Sequence, residues 1–190
     1  MIDDRLFKSW TLVLRNSKED AQGIVEDLGW SRSDADDDYW ESADDVTLFL
    51  RHDRTSGELG CNLRGVDRDA VSRHFDDLEA RMDAFSTEEL LAGIDQAETA
   101  AETAQALFRL GLGAPLEFDE RTATQVVGAL SFEHPMIRAA AVRTIGYLIW
   151  GSMLRPPVER VFDDDPDERV QRQAGQLLSA FDQVAAGRTS

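Results

Sequence analysis

The sequence predicts an α+β protein: a small N-terminal antiparallel sheet with two helices, β-α-β-β-α over residues 1–84, followed by a short α-helical repeat array over residues 85–190. Three observations carry that prediction. Runs rich in β-branched and aromatic residues, alternating apolar with polar, fall before Asp67. Beyond Asp83 the apolar residues recur at helical spacing throughout. Within that helical half one pattern appears twice. Ile137, Ala141 and Ile145 are matched by Val170, Ala174 and Leu178, each pair 33 residues apart. A period of this size is the signature of stacked helix pairs that bury their apolar faces on one another.

Taken in order, Trp10 to Arg15 reads as a strand. Asn16-Ser17 offers an N-cap, and Ala21, Ile24, Val25 and Leu28 follow at helical spacing until Gly29 closes the helix. Trp30 is expected to pack back on that helix end, and Ser31 to Asp38 reads as a polar, acidic loop. Asp45–His52 and Glu58–Arg64 form a hairpin whose turn, Asp53 to Gly57, places a glycine where a positive φ is wanted. Leu59, Cys61 and Leu63 alternate with Gly60, Asn62 and Arg64, so one face of that strand is apolar. Asp67 caps a second helix reaching Met82, with Val71, Phe75 and Leu78 on its stripe. Both helices on one face of the sheet is the simplest packing. The fourth strand that a ferredoxin-like arrangement needs is not evident.

The second half opens at Ser86-Thr87-Glu88-Glu89, a capping sequence. Ala100, Ala104 and Phe108 give a weaker copy of the repeat, offset by 37 residues from Ile137, Ala141 and Ile145. Gly111 to Pro115 breaks that helix, and Asp119 caps the next, with Ala123, Val126, Val127 and Leu130 on its apolar face. His134-Pro135 opens a helix to about Trp150, with His134 as its cap. Pro156-Pro157 occupies the first turn of a short helix, where a missing N–H costs little. Asp163 to Pro166 ends that helix and caps the last one, which runs to about Val184 before a frayed end.

The repeated pattern is a polar or Asp start, Val/Ile with a following Arg, a small Ala one turn on, then a large aliphatic. It resembles HEAT repeats. The resemblance implies a binding scaffold, makes Asp163 to Asp167 an ordinary inter-repeat turn, and gives Arg138 a bracing role on an Asp of the preceding turn. Gln171, where the second copy should carry Arg, departs from the pattern.

The net charge is −17, and the chain has only two lysines, Lys8 and Lys18. Such a balance disfavours free nucleic acid and anionic membrane, which need clustered cations. No apolar run approaches the roughly 18–20 residues that span a bilayer, and Met1 to Arg5 is too polar for a signal peptide. A cytoplasmic setting is expected. The lone Cys61 excludes an internal disulfide; with one of the three histidines it would be the first nucleophile candidate, but its alternation with wet positions in a strand marks it as a small core residue. His52, His74 and His134 are widely spread, and the Asp34–Asp38 run lacks the glycine and terminal Glu of an EF-hand. No phosphate-binding glycine motif is present. The sequence therefore predicts no catalytic residue, no metal and no cofactor.

The function expected is non-catalytic protein binding, in a specific form an immunity-type inhibitor that masks a basic partner. A structural or assembly subunit that self-associates is the alternative, and an enzyme with unrecognised carboxylates is the third. Trp150, Asp163, Asp164, Asp165 and Asp167 are the expected partner contacts. Trp150 and Met153 read either as core at a repeat interface or as anchors projecting from a turn.

Overall fold

The computed structural model describes residues 7–9, 11–33 and 36–187. Trp10, Asp34, Ala35 and the last three residues, on which some of the expectations above fall, lie outside the described residues. The chain forms two compact units, residues 1–86 and 87–190.

The first unit is built on an antiparallel sheet. Its described elements are β1 (Phe7–Lys8), β2 (Leu12–Leu14), α1 (Lys18–Asp27), β3 (Ser31–Arg32), β4 (Tyr39–Glu41), β5 (Thr47–His52), β6 (Leu59–Gly65) and α2 (Arg68–Glu79). The strand order is β1-β6-β5-β4-β3, and β2 also pairs with β6. β1 and β2 are two parts of one edge. Lys8 stands opposite Arg64, yet Leu12 stands opposite Cys61, so the register slips by one residue between them, as at a β-bulge. Ser9 bridges the slip: its N–H donates to the Leu63 carbonyl at 3.0 Å, and its hydroxyl accepts the Leu63 N–H at 2.9 Å.

Alternation decides the two faces of this sheet. Leu12 and Leu14, Trp40, Leu48 and Leu50, and Leu59, Cys61 and Leu63 point one way and bury against Ala21 and Val25 of α1 and Ala70, Val71, Phe75 and Leu78 of α2. The two expected helices therefore lie on one face. Ser17 caps α1 by accepting the Asp20 N–H at 3.1 Å, and Gly29, at φ +82°, ends it. The Trp30 N–H reaches the Val25 carbonyl and the Gly29 N–H that of Glu26, a Schellman closure that fixes Trp30 against the helix end. Gly57 has φ +74° in the β5–β6 turn, as its position requires.

Two expectations are corrected here. The polar stretch from Ser31 is not all loop, because Ser31–Arg32 pairs with Trp40–Glu41, and Tyr39–Glu41 pairs with Thr47–Phe49. The sheet therefore extends beyond the three expected strands.

The second unit is helical: α3 (Thr87–Gln96), α4 (Ala100–Leu112), α5 (Glu120–Ala129), α6 (Pro135–Tyr147), a 3-10 turn (Gly151–Leu154), α7 (Arg155–Asp164) and α8 (Glu168–Gly187). Successive helices pair, α3 with α4, α5 with α6 and α7 with α8, while α4, α6 and α8 pack side by side. Ala104, Ala141 and Ala174, the small residues of the repeated pattern, are all buried. Close approach of α4 to α6 depends on Gly111: a Cβ there would lie 2.8 Å from the Thr144 methyl. The expected helix to Trp150 stops at Tyr147, because the chain turns to extended backbone at Leu148.

Candidate functional site

Helices α3 and α5 pack together, and two grooves run along the flanks of α5, one toward α3 and one toward α7. Glu120, Arg121 and Thr124 of α5 are exposed along the groove toward α3.

The α3–α5 groove encloses about 530 Å³ and is lined by Glu88, Leu91, Asp95, Glu120, Arg121 and Gln125, among others. A forked ion pair crosses its rim, Arg121 donating to Glu88 at 2.7 and 2.6 Å. That hydrogen bonding holds the Glu88 carboxyl below its usual range and raises Arg121. Asp119 starts α5 by accepting the Thr122 N–H at 2.7 Å, which fixes where this exposed row begins.

The α5–α7 groove encloses about 470 Å³. Its floor is a buried ion pair. Arg138 of α6 donates Nε to Asp165 Oδ2 at 2.7 Å and Nη2 to Oδ1 at 2.9 Å, with side chains only 8% and 3% exposed. Nη1 donates to the carbonyls of Phe132 and Glu133 at 2.9 and 2.6 Å, so the guanidinium ties the α5–α6 turn to the α7–α8 turn. The hydrogen bonds from Arg138 are the chief reason that the Asp165 carboxyl is held below the ordinary range. The floor is thus electrically balanced. Above it stand Glu133, Arg160 and Asp164, with Phe132, Pro157 and Pro166 as apolar walls; the Phe132 ring is 41% exposed.

The expected contact residues separate into different roles. Asp163 and Asp164 are exposed at the end of α7, and Asp164 lines the groove. Asp167 is half-buried and caps α8, accepting the N–H groups of Arg169 at 2.8 Å and Val170 at 3.4 Å. Asp165 is corrected: it is 8% exposed and fully engaged with Arg138, so its charge is not offered to a partner. Trp150 is corrected too. It is 6% exposed, its Nε1 donates to the Pro115 carbonyl at 3.1 Å, and Phe118 meets its ring edge-on at 5.0 Å. It fastens the α4–α5 connection to the α6–α7 connection. Its neighbours Ile149 and Met153, each 60% exposed, are the apolar side chains that project there.

Arg138 braces as the repeat resemblance implies, but onto the Asp of the following turn rather than the preceding one. The preceding turn supplies carbonyls instead. Gln171, where the pattern departs, donates Nε2 to the Asp165 carbonyl at 2.8 Å and so works in the same turn. Phe132, Glu133 and Arg160 were not foreseen as lining residues; no sequence spacing joins a turn residue to a helix some thirty positions on.

The other candidate residues also find places. Cys61 lies 1% exposed in the core of the first unit, and burial pushes its thiol up to about 12. His134 caps α6, its Nδ1 accepting the Met136 N–H at 3.2 Å. Among the described residues no three His, Cys, Asp or Glu side chains converge as metal ligands, and no helix is long and apolar enough to cross a membrane. No protein-family model matches the chain, and no curated protein or solved structure matches it either.

Proposed function

We propose that the protein is a non-catalytic binding module of the cytoplasm, and that the two grooves beside α5 receive a basic segment of a partner protein. The paired, side-by-side helices support a HEAT-like repeat array, a scaffold that presents a rigid surface at low ordering cost. One observation carries the choice of partner. Glu88, Asp95, Glu120, Glu133 and Asp164 line the grooves beside only Arg121 and Arg160, once the balanced Arg138–Asp165 floor is set aside. A surface of that sign steers a basic partner and rejects an acidic one. An immunity-type inhibitor covering the basic face of a toxin is the specific form that this chemistry fits.

The test is affinity capture at low salt by the wild-type chain and by Asp95→Lys/Glu120→Lys/Asp164→Lys in parallel. A basic protein held by the wild type, lost from the variant and released by salt supports the proposal. Equal capture by both removes the grooves from consideration. Salt-resistant recovery of the chain itself would favour an assembly subunit.

A further inference from the structure

The face of the N-terminal sheet opposite its helices carries a charge of the other sign. Lys8, Arg51 and Arg64 project from it at alternate strand positions, and all three are exposed. Lys8 and Arg64 are direct cross-strand partners, an arrangement that costs stability when both are cations. Among the described residues neither they nor Arg51 pairs with a carboxylate, in a chain with 37 acidic and 20 basic side chains. Desolvation where Lys8 lies against the sheet, then the charges of Arg64 and Arg51, lower its affinity for its proton, although the residue as a whole is exposed. Glu41 lies in the same cross-strand row as Arg64, one strand beyond Thr47.

Two aromatic rings complete the patch. Tyr39 meets Phe49 edge-on at 4.6 Å, and the Arg64 guanidinium lies 4.8 Å above the Phe49 ring.

Part of this face is covered, Val13 beside Gly60 being 1% exposed, and we infer that its exposed cations, Lys8, Arg51 and Arg64, form a second docking surface, whose occupant is a short acidic polypeptide segment of a partner. Charge complementarity argues for the anion. The segment is a peptide rather than a nucleic acid for two reasons. Phe49 already carries Arg64 on its face and Tyr39 at its side, so that ring is not open for a base to stack on. A short segment also feels the local cations within a Debye length, whereas a long polyanion meets the net charge of −17. The surface is made of residues of the first unit alone and does not depend on the function of the helical grooves.

Fluorescence anisotropy of the full chain with fluorescein-labelled hexaglutamate tests this, at low salt and at about 0.5 M, where screening acts within a few ångströms. The expected result is binding that salt abolishes, with Arg51→Glu/Arg64→Glu weaker by at least about tenfold. Arg51→Gln/Arg64→Gln should fall between the two while keeping the circular dichroism of the wild type. The inference is overturned by the absence of low-salt binding or by equal binding of the charge-reversed variant. It is also overturned if hexathymidylate binds as tightly as hexaglutamate, or if the cations instead prove to hold a second copy, seen as self-association lost in the variant.

Discussion

Arg138 and Asp165 show how one buried pair can hold two turns of a helical stack. A guanidinium has a fixed fork of donors, and here that fork meets one carboxylate and two backbone carbonyls at distances of 2.6–2.9 Å. Removing either partner strands the other charge, so Arg138→Ala or Asp165→Ala should each cost about 3–5 kcal/mol in urea unfolding. The double variant Arg138→Met/Asp165→Leu should recover much of that loss. Acid titration gives a second reading of the pair. Asp165 is held low in the folded state, so the unfolded chain binds its proton more readily. Its contribution is complete above the unfolded carboxyl value of about 3.9 and is lost as pH falls through the folded one. Asp165→Asn should therefore flatten the loss of stability below about pH 4. Cys61 is the opposite case, a buried thiol with no partner in chemistry. Iodoacetamide at mildly alkaline pH should leave it unmodified until the protein unfolds. Its place in the core was legible from strand alternation. The destination of Arg138 was only half legible, because the sequence pattern names the donor and not which turn supplies the carboxylate.

At the scale of elements, helix starts were the best-marked features. Ser17, Asp67, Asp119 and His134 each accept a backbone N–H where a cap was expected. Such caps are short-range chemistry, fully contained in a few residues. Asp119→Ala should cost about 1 kcal/mol in chemical denaturation. The strands β3 and β4 were missed for the converse reason. Runs of two and three residues cannot show a period, and their pairing is imposed by β5 at a distance. The β1–β2 bulge is likewise a property of the partner strand's register. Helix packing shows the same limit. Gly111 reads locally as a helix breaker, yet it lies within α4 and admits Thr144 and Tyr147 of α6. Gly111→Ala should force those helices apart and destabilise the second unit by about 1–3 kcal/mol, measured by thermal unfolding. A fall of less than a few tenths would mean that the contact relaxes freely.

At the scale of the molecule, the net charge of −17 was plain from composition, but its distribution was not. The sequence pointed to the Asp163–Asp167 turn as one acidic surface. Folding divides that turn into exposed Asp163 and Asp164, a buried ion in Asp165 and a helix cap in Asp167. It gathers Glu88, Asp95 and Glu120 from distant stretches into the neighbouring groove instead. Charge work therefore has to be read on the assembled face. The proposed role of that face is electrostatic, in which charge chiefly sets the rate of encounter. Once a basic partner has been captured, the decisive measurement is its association rate constant against ionic strength, for the wild type and for Asp163→Lys/Asp164→Lys. A steep fall with salt is expected for the wild type, and a several-fold slower, flatter line for the variant. Superimposable lines, with unchanged dissociation, would contradict that role.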